Sequence, residues 1–447
     1  MAMIIIGSGP AALACALALL RLNQQVILIT KQKLQDRGDF IRPQRTTMHP
    51  ETIAVLKTYL VKEVNGARRY LDAITQSNTS QIKDVERYLF DQIQQYADNI
   101  IIKDHIHEIL KIDLEQKYLL IENNNRYDFQ YLIIAEGSRR EVIQTHLLGY
   151  GFRVTDMGLD YRHPYHATIS LKQSFTFSNP HRSLKSLEQD HYQVGDLALL
   201  RAHGWEEEYP PLTYSMKGER DNEVVVTGEI PKLIYDIEDK NIKRKLLVAW
   251  AKTVLMIQMN IETSELNIKE TTKHDSKKLN LRCMDFKTNG MQQVEPGHLA
   301  SQDHGQKING GVFLLGDALI ASFYPRGYGL NYAIQLADYL GQLIGGQITY
   351  ADYCHKEEEY RNNAINLSRK DIIDGQNKRI EELQGLITDL EKDAASAPPE
   401  FQAIIGAKLY ENKSILFPKL ETLKIDPDDN HSRELIDKLK KISNLPV

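Results

Sequence analysis

The chain has 447 residues and a formal net charge of −5, and 42% of its residues are hydrophobic and 26% are charged. This length and composition predict a globular protein of two or three domains, and the slight acidic excess argues against a nucleic-acid-binding surface. The three cysteines are widely spaced and form no disulfide or metal-ligand pattern, so we expect a reducing compartment and no metal site.

The apolar segments are all too short to cross a membrane, because a spanning helix needs about 20 apolar residues. The apolar start of the chain, residues 1–20, lacks the basic region of a signal peptide and is interrupted by a Gly-Ser-Gly-Pro turn. We therefore expect a cytoplasmic protein with no membrane span.

The first 30 residues predict a strand, a glycine turn, a helix and a second strand. Residues 2–6 are a short apolar run typical of a buried parallel strand, residues 11–22 are rich in Ala and Leu, and residues 25–30 form the next apolar run. This order is typical of a βαβ unit.

The following segments complete the first part of the sheet. We expect a helix at residues 81–96, two strands at 107–113 and 118–122 that form a small antiparallel insertion, and a buried strand at 131–135. The first domain is therefore predicted to begin with residues 1–150.

The middle of the chain changes character. Short alternating or β-branched segments predict strands at residues 166–171, 174–177, 196–200 and 223–227. They place a sheet-rich domain at residues 151–290.

A strand at 311–315 and a helix at 330–344 then return the chain to the first domain, over residues 291–350. Residues 351–447 are charged and predict a helical extension. Apolar residues at near-heptad spacing between 373 and 390 favour a helix packed on the body over a coiled coil, because they span barely three heptads.

A glycine turn follows the first predicted strand and opens the first predicted helix. Gly7 permits the tight turn, Gly9 allows a pyrophosphate to approach the backbone, and the small Ala12 allows the helix to pack closely on the strand. The helix begins at Pro10 and Ala11, where free N–H groups and the helix dipole favour an anion. This turn predicts a dinucleotide-binding site.

The end of the second strand departs from that pattern. An acidic residue is expected there to bind the adenosine ribose, but Thr30 and Lys31 stand in its place. The threonine hydroxyl still offers one hydrogen bond, so we expect the adenosine end to be held more weakly or by other groups.

A second glycine-rich signature lies 300 residues later. Leu315 ends an apolar run and is followed by Gly316 and Asp317, and residues 323–331 read Phe-Tyr-Pro-Arg-Gly-Tyr-Gly-Leu-Asn. Glycines in such a turn let the backbone approach a flat ring, and the N-terminus of the following helix stabilises an anion. The carboxylate of Asp317 can accept a hydrogen bond from a hydroxyl group.

Together these motifs resemble those of the group A flavoprotein monooxygenases, which have the p-hydroxybenzoate hydroxylase fold. The resemblance covers residues 3–345. It implies an α/β protein in which a Rossmann-like FAD-binding domain carries an inserted mixed-sheet substrate domain, followed here by the C-terminal helical extension. In that family the aspartate contacts the flavin ribityl chain and pyrophosphate, and the later turn points a helix at the flavin pyrimidine ring.

Two further segments agree with the resemblance. Glu136 and Gly137 correspond to an Asp-Gly motif of the family, and either Arg42 or Arg45 corresponds to an arginine near the flavin phosphates. Either Lys83 or Arg87 corresponds to a flavin-contacting arginine. The residues predicted to bind the cofactor are Gly7, Gly9, Pro10, Ala11, Ala12, Thr30, Lys31, Arg42, Arg45, Lys83, Glu136, Gly137, Gly316, Asp317, Pro325, Gly327, Gly329, Leu330 and Asn331.

The resemblance implies that NAD(P)H is the co-substrate and that a flavin C4a-hydroperoxide transfers one oxygen atom to a substrate. Tyr324 and Arg326, in the turn that approaches the flavin, are the predicted catalytic residues. Only one complete dinucleotide motif is present, which favours this class over reductases with two dinucleotide-binding domains. The two tryptophans, Trp205 and Trp250, do not form the Trp-x-Trp element of flavin halogenases.

The predicted substrate is a small molecule or a protein side chain, because residues 317–329 are also similar to the corresponding turn of the MICAL monooxygenase module. Two alternatives remain. The chain is either an FAD-stabilised effector whose C-terminal helices bind a macromolecular partner, or an FAD oxidase or dehydrogenase without oxygen transfer.

Overall fold

The computed structural model describes most of the first 370 residues. The described ranges are 2–31, 34, 42, 45–157, 163–173, 194–207, 211, 213–217, 223–259, 268–269, 283–287, 291–302, 308–322 and 328–370, with residues 388 and 392. The predicted strand at 174–177 and the near-heptad segment at 373–390, apart from residue 388, lie outside the described residues.

The strands are numbered in chain order. They are β1 Ala2–Ile6, β2 Val26–Ile29, β3 Arg45–Thr47, β4 Thr79–Gln81, β5 Ile100–Lys103, β6 Ile109–Asp113, β7 Tyr118–Ile121, β8 Asn125–Ile134, β9 Arg153–Asp156, β10 Tyr165–Gln173, β11 Thr213–Lys217, β12 Glu223–Glu229, β13 Ile268–Lys269, β14 Cys283–Lys287, β15 Gln292–Glu295, β16 His298–Gln302, β17 Ile308–Leu314 and β18 Ile320–Ala321.

The helices are numbered in the same way. They are α1 Pro10–Leu20, α2 Pro50–Thr58, α3 Ala67–Ser77, α4 Ile82–Ile93, α5 Val194–Arg201, α6 Lys232–Tyr235, α7 Lys240–Met259, α8 Tyr328–Ile344 and α9, residues 350–370.

The main sheet has the strand order β16-β17-β8-β1-β2-β5. The four pairs from β17 to β5 are parallel, and β16 pairs antiparallel with β17 at the edge. The hairpin β6–β7 joins β8 antiparallel, so the predicted antiparallel insertion is confirmed. The chain thus has the predicted α/β, Rossmann-like core.

The composition of α1 explains its central place in this core. The helix consists of Ala, Leu and one Cys after Pro10, and every residue from Ala11 to Leu20 is buried. A helix that is apolar on all sides is covered on all sides, and α1 packs against α4 and α8 as well as the sheet. Gly341 of α8 permits the closest approach, because a Cβ there would lie 2.7 Å from Cβ of Ala18.

Residues 1–160 and 289–369 form one compact unit, and residues 161–288 and 370–447 form the other. In the second unit, β10 pairs antiparallel with β12, β13 and β14. Buried Trp205 and Trp250 stack at 5.7 Å in its apolar core, to which α7 also contributes. The first unit also contains a small sheet of β18, β15 and β9.

Two features of the second unit differ from the sequence prediction. Residues 196–200, predicted as a strand, lie in the helix α5. The segment contains Ala and Leu but no β-branched residue after Val194, and these residues favour a helix. The 20-residue helix α7 was not predicted.

Among the described residues, no helix combines the length and the apolar composition that a membrane crossing requires.

Candidate cofactor site

The carboxyl ends of four neighbouring strands meet at one edge of the main sheet. Ile6 of β1 is in register with Ile29 of β2 and Ile134 of β8, and Ile134 is also in register with Leu314 of β17. The predicted motifs follow directly after these positions. In open α/β sheets, ligands bind at this edge, where the strand order changes direction.

The first glycine turn is tightly packed against β8. Gly7 has φ +135°, and a Cβ there would overlap the carbonyl oxygen of Ala135, so a side chain at this position is excluded. Its N–H donates to the oxygen of Ile29 at 2.9 Å. Gly7 thus connects the ends of β1, β2 and β8.

The N-terminus of α1 has the features of an anion-binding site. Gly9 is the N-cap residue, Pro10 occupies the first helical position, and no side chain caps the helix within the described residues. Ala12 is fully buried, as the predicted close packing of helix and strand requires. The first N–H groups and the positive end of the helix dipole therefore point toward the space beside Gly9.

The second turn lies directly against the first. Gly316 has φ +61°, and a Cβ there would lie 3.0 Å from Cβ of Ala11. A Cβ at Gly329, near the start of α8, would lie 3.1 Å from Oδ1 of Asp317. The two predicted motifs, although 300 residues apart in sequence, therefore form one continuous surface.

Arg42 places a positive charge over the glycine turn. Its Nη2 lies 3.2 Å from the position that a Cβ of Gly9 would occupy. The same guanidinium forms an ion pair with Glu86 of α4, whose side chain is only 3% exposed. Burial raises the pKa of Glu86, and Arg42 opposes this effect. Glu86 was not predicted, because nothing in the sequence marks a carboxylate on α4 as the partner of an arginine 44 positions earlier.

Asp317 lies in the field of two arginines. Asp317 is exposed at the turn. Removal of its carboxylate from bulk water by the surrounding protein raises its pKa, whereas the positive charges of Arg42 and Arg140 lower it. Arg140 is 1% exposed. Its guanidinium donates to the oxygens of Ala318, at 3.2 Å, and Gln292, at 3.1 Å. Arg140 therefore fixes the loop that carries Asp317.

Glu136 and Gly137 follow β8. The Glu136 carboxylate accepts hydrogen bonds from the N–H groups of Val142 and Ile143, at 2.9 and 3.2 Å. Burial is the main cause that raises the pKa of Glu136. Gly137 has φ +87°, which favours glycine. Glu136 therefore caps the next helical turn, a structural role that is separate from its predicted contact with the cofactor.

Thr30 and Lys31 follow β2. Thr30 is 3% exposed and donates its N–H to Lys103. The exposed Lys31 forms an ion pair with Glu141. A carboxylate thus pairs with the residue that follows β2, but it comes from the start of the helical turn after β8.

Lys83 and Arg45 lie on elements that flank the site. Lys83 is 6% exposed, and its N–H donates to the oxygen of Arg42 at 3.0 Å. Arg87, the alternative to Lys83, is paired with Asp84. Arg45 begins β3, where its backbone pairs with Gln81.

Asn331 joins α8 to the chain before α2. Its Oδ1 accepts from the N–H of His49 and its Nδ2 donates to the oxygen of Thr47, both at 2.8 Å. It is fully buried, whereas its neighbour Leu330 is half-buried. These bonds support the start of α8, whereas the sequence predicted a direct contact with the cofactor. Tyr324, Pro325, Arg326 and Gly327 lie outside the described residues.

Comparisons with known proteins agree with this architecture. Residues 1–162 match the model of the family described as pyridine nucleotide-disulphide oxidoreductase. Comparison with curated proteins gives no match.

Several solved structures have a similar fold. The flavin-dependent monooxygenase PieE, solved with FAD and substrate, has a TM-score of 0.55 at 12% identity, over 99% of this chain and 71% of that chain. The Diels-Alderase PyrE3 of pyrroindomycin biosynthesis has a TM-score of 0.54 at 15% identity, over 90% and 79%. The flavin-dependent brominase Bmp2 has a TM-score of 0.53 at 11% identity, over 99% and 98%. The chain thus has the fold of the flavin-dependent monooxygenases and halogenases.

The residues at the sheet edge fit an FAD molecule. The helix N-terminus beside Gly9 and the guanidinium of Arg42 suit a pyrophosphate, and the carboxylate of Asp317 suits a ribityl hydroxyl. Gly316 and Gly329 keep the surface between these groups free of side chains. The chemistry of the donor set and the shape of the turn therefore match the two halves of a flavin dinucleotide.

Proposed function

We propose that the chain is an FAD-dependent oxidoreductase, and specifically a monooxygenase that uses NAD(P)H and dioxygen. The observation that carries this proposal is the contact between the two glycine turns, where a Cβ on Gly316 would lie 3.0 Å from Ala11. A phosphate-binding helix N-terminus next to a carboxylate turn suits a cofactor with a pyrophosphate and a polyhydroxyl chain. The halogenases share the fold, but this chain lacks their Trp-x-Trp element.

Each residue of the site has a separate task in this proposal. The start of α1 and Arg42 hold the pyrophosphate, and Glu86 orients the guanidinium. Asp317, held by the loop that Arg140 anchors, accepts a hydrogen bond from the ribityl chain. When bound, FAD supplies electron transfer from NAD(P)H and the activation of dioxygen.

The protein contributes position and electrostatics to this chemistry. The N-terminus of α8 follows the Asp317 turn and stabilises negative charge on a ring placed before it. Tyr324 and Arg326 precede this helix, and we assign them to contacts with the substrate or the flavin ring. The substrate is a small organic molecule.

The test is a reaction of the purified protein with its FAD. Anaerobic NADPH or NADH, added with a panel of small aromatic and heteroaromatic compounds, should bleach the flavin absorbance. Admission of ¹⁸O-labelled dioxygen should then give a product that carries one ¹⁸O atom.

The possible outcomes separate the alternatives. Failure of both nicotinamides to reduce the flavin with every compound would contradict the proposal. Reduction followed by an unlabelled product and stoichiometric hydrogen peroxide would instead identify an oxidase or dehydrogenase. Arg326→Ala is expected to lower the yield of labelled product, with Arg126→Ala, an exposed arginine on β8, as the matched control.

A further inference from the structure

A cysteine, a histidine and a glutamate lie in a row on β16 and α9. Cys354 Sγ lies 3.5 Å from Nε2 of His298, and Nδ1 of the same imidazole lies 2.7 Å from Oε2 of Glu357. None of the three belongs to the cofactor site described above. A thiol, a base and a group that orients the base are the components of an activated nucleophile.

The carboxylate of Glu357 is held in place. It is 4% exposed, and its Oε1 accepts from Nε of Arg361 at 2.9 Å. Arg361 in turn donates to the oxygen of Val294 at 2.7 Å. A Cβ on Gly297 would overlap the Glu357 carboxylate, so only glycine leaves room for this approach. The orientation of the carboxylate is therefore determined by its surroundings.

The imidazole of His298 is also fixed. It stacks on Phe313, with ring centroids 5.8 Å apart and an interplanar angle of 17°, and the edges of Tyr350 and Tyr353 border it. An ionised carboxylate only accepts hydrogen bonds, so Nδ1 of His298 must carry the proton that points to Glu357. In the neutral ring, Nε2 is then a free acceptor that faces the thiol.

Cys354 is half-buried and needs this base in order to react. Burial raises the pKa of its thiol and the negative charge of Glu357 raises it further, so the thiol is protonated at neutral pH, while a hydrogen bond from Tyr350 acts in the opposite direction. Thiols react as thiolates. Proton transfer to His298 supplies the thiolate at the moment of reaction.

An unused polar group lies beside the row. The hydroxyl of Tyr353 is buried and has no hydrogen-bond partner within the described part of the chain. The centroid of its ring lies 5.8 Å from that of His298. A buried donor without a partner is unusual in a folded protein.

We propose that Cys354, His298 and Glu357 form a base-assisted thiol site that is oxidised by hydrogen peroxide. The Cys354 sulfur attacks one peroxide oxygen, an S–O bond forms and the O–O bond breaks. The thiol proton passes to Nε2 of His298 and then to the departing hydroxide, which leaves as water. The sulfur is oxidised to a sulfenic acid and the peroxide is reduced, so that one thiol and one H₂O₂ give one sulfenic acid and one water.

A small peroxide suits this site for two reasons. The half-buried sulfur restricts the approach of bulky electrophiles. The hydroxide leaving group also requires a proton, which the imidazolium formed in the first step can donate. The oxidation does not depend on the flavin reaction, so its test is independent of the proposed function.

The test compares the cysteines within one protein. The full-length protein is treated with hydrogen peroxide and dimedone, and adducts are quantified over time by peptide mass spectrometry. We expect Cys354 to be labelled at least tenfold faster than Cys283, which is also half-buried and has a thiol pKa raised by burial to about 11. The fully buried Cys15 should remain unlabelled.

The base is tested by substitution. His298→Asn retains a donor for Glu357 but removes the base, and it should slow labelling of Cys354 about tenfold or more while that of Cys283 is unchanged. His355→Asn replaces an exposed neighbouring histidine and should leave both rates unchanged. Equal labelling of Cys354 and Cys283 in the unmodified protein would overturn the proposal whether or not the variant folds. An unchanged Cys354 rate in a folded His298→Asn variant would overturn it as well.

Discussion

At the residue scale, Gly7 and Gly9 belong to one motif but are required for different physical reasons. A side chain at Gly7 would overlap the backbone of Ala135, whereas a side chain at Gly9 would meet only the flexible end of Arg42. Gly7 also has φ +135°, a conformation that costs other residues about 1–3 kcal/mol. Gly7 is therefore required for folding, whereas Gly9 leaves space for a ligand.

Substitution of these glycines should separate stability from binding. We expect Gly7→Ala to lower the free energy of unfolding by about 3 kcal/mol or more, from the backbone conformation and the overlap together. Gly9→Ala should leave the Tm of the FAD-free protein almost unchanged but weaken FAD binding about tenfold or more. Thermal unfolding and a fluorescence titration with FAD measure the two effects. Equal loss of stability in both variants would contradict this assignment.

Arg42 makes a second prediction at this scale. A charge-assisted bond to a phosphate contributes about 1.5–3 kcal/mol, so Arg42→Ala should weaken FAD binding about ten- to hundredfold. The same substitution strands the buried carboxylate of Glu86, which should lower the Tm.

The double variant Arg42→Ala/Glu86→Gln removes the stranded charge. It should recover most of the lost Tm and keep the weakened FAD binding. Arg126→Ala, which removes an exposed arginine of β8 paired with Asp128, is the control. If the double variant recovers full affinity, Arg42 does not bind the cofactor.

The sequence predicted the glycines that line the candidate site and gave Arg42 as one of two alternatives with Arg45, but it did not predict their partners. Gly7, Gly9 and Asp317 occur in spacings that backbone geometry imposes, so a single chain reveals them. Glu86 and Arg140 act through contacts with residues 44 and 152 positions away. No local spacing encodes such contacts, and only the folded chain brings these groups together.

At the element scale, the start of α8 is held by side-chain bonds across the fold. Asn331 bonds the backbone of Thr47 and His49, and Gln335 donates to Thr52 of α2 at 2.8 Å. These bonds connect α8 to residues 47–52, which follow Arg42 in the chain. The position of the α8 N-terminus thus depends on a buried polar network.

Removal of Asn331 should therefore affect stability as well as binding. Asn331→Ala removes the hydrogen bonds to the N–H of His49 and to the oxygen of Thr47, and the loss of each such bond costs about 0.5–1.5 kcal/mol. We expect a clear fall in the urea midpoint together with weaker FAD binding. Asn362→Ala, at an exposed position of α9, is the matched control. A loss of FAD affinity at unchanged stability would instead support the direct cofactor contact predicted from the sequence.

The strands β1, β8 and β17 and the helix α1 of the first unit were easier to predict than the second unit, although α2, α3 and β5 were not predicted. Parallel strands buried on both faces produce the apolar runs at β1, β8 and β17, and an Ala-Leu composition marks α1. The segment of α5 contains a short apolar run at residues 197–200, which favoured a strand, but its Ala and Leu residues favour a helix, and this helix packs against α7. The long helix α7 was not predicted because its mixed polar and apolar residues give no clear pattern in the sequence.

At the scale of the whole molecule, the fold explains how one cofactor site arises from distant parts of the chain. The strand order places β8 between β1 and β17, so the motifs after these three strands meet at one edge. The resemblance to MICAL and the macromolecular partner rest on the sequence alone, and most of the predicted C-terminal helical extension lies outside the described residues. They remain predictions.

The most direct test of the account is whether this edge binds FAD. The protein should be yellow when purified, or should take up one FAD per chain after removal of the flavin, with an absorbance maximum near that of protein-bound flavin and quenched fluorescence. Gly9→Ala and Arg42→Ala should both weaken this uptake. A colourless, folded protein that does not bind added FAD would contradict the account.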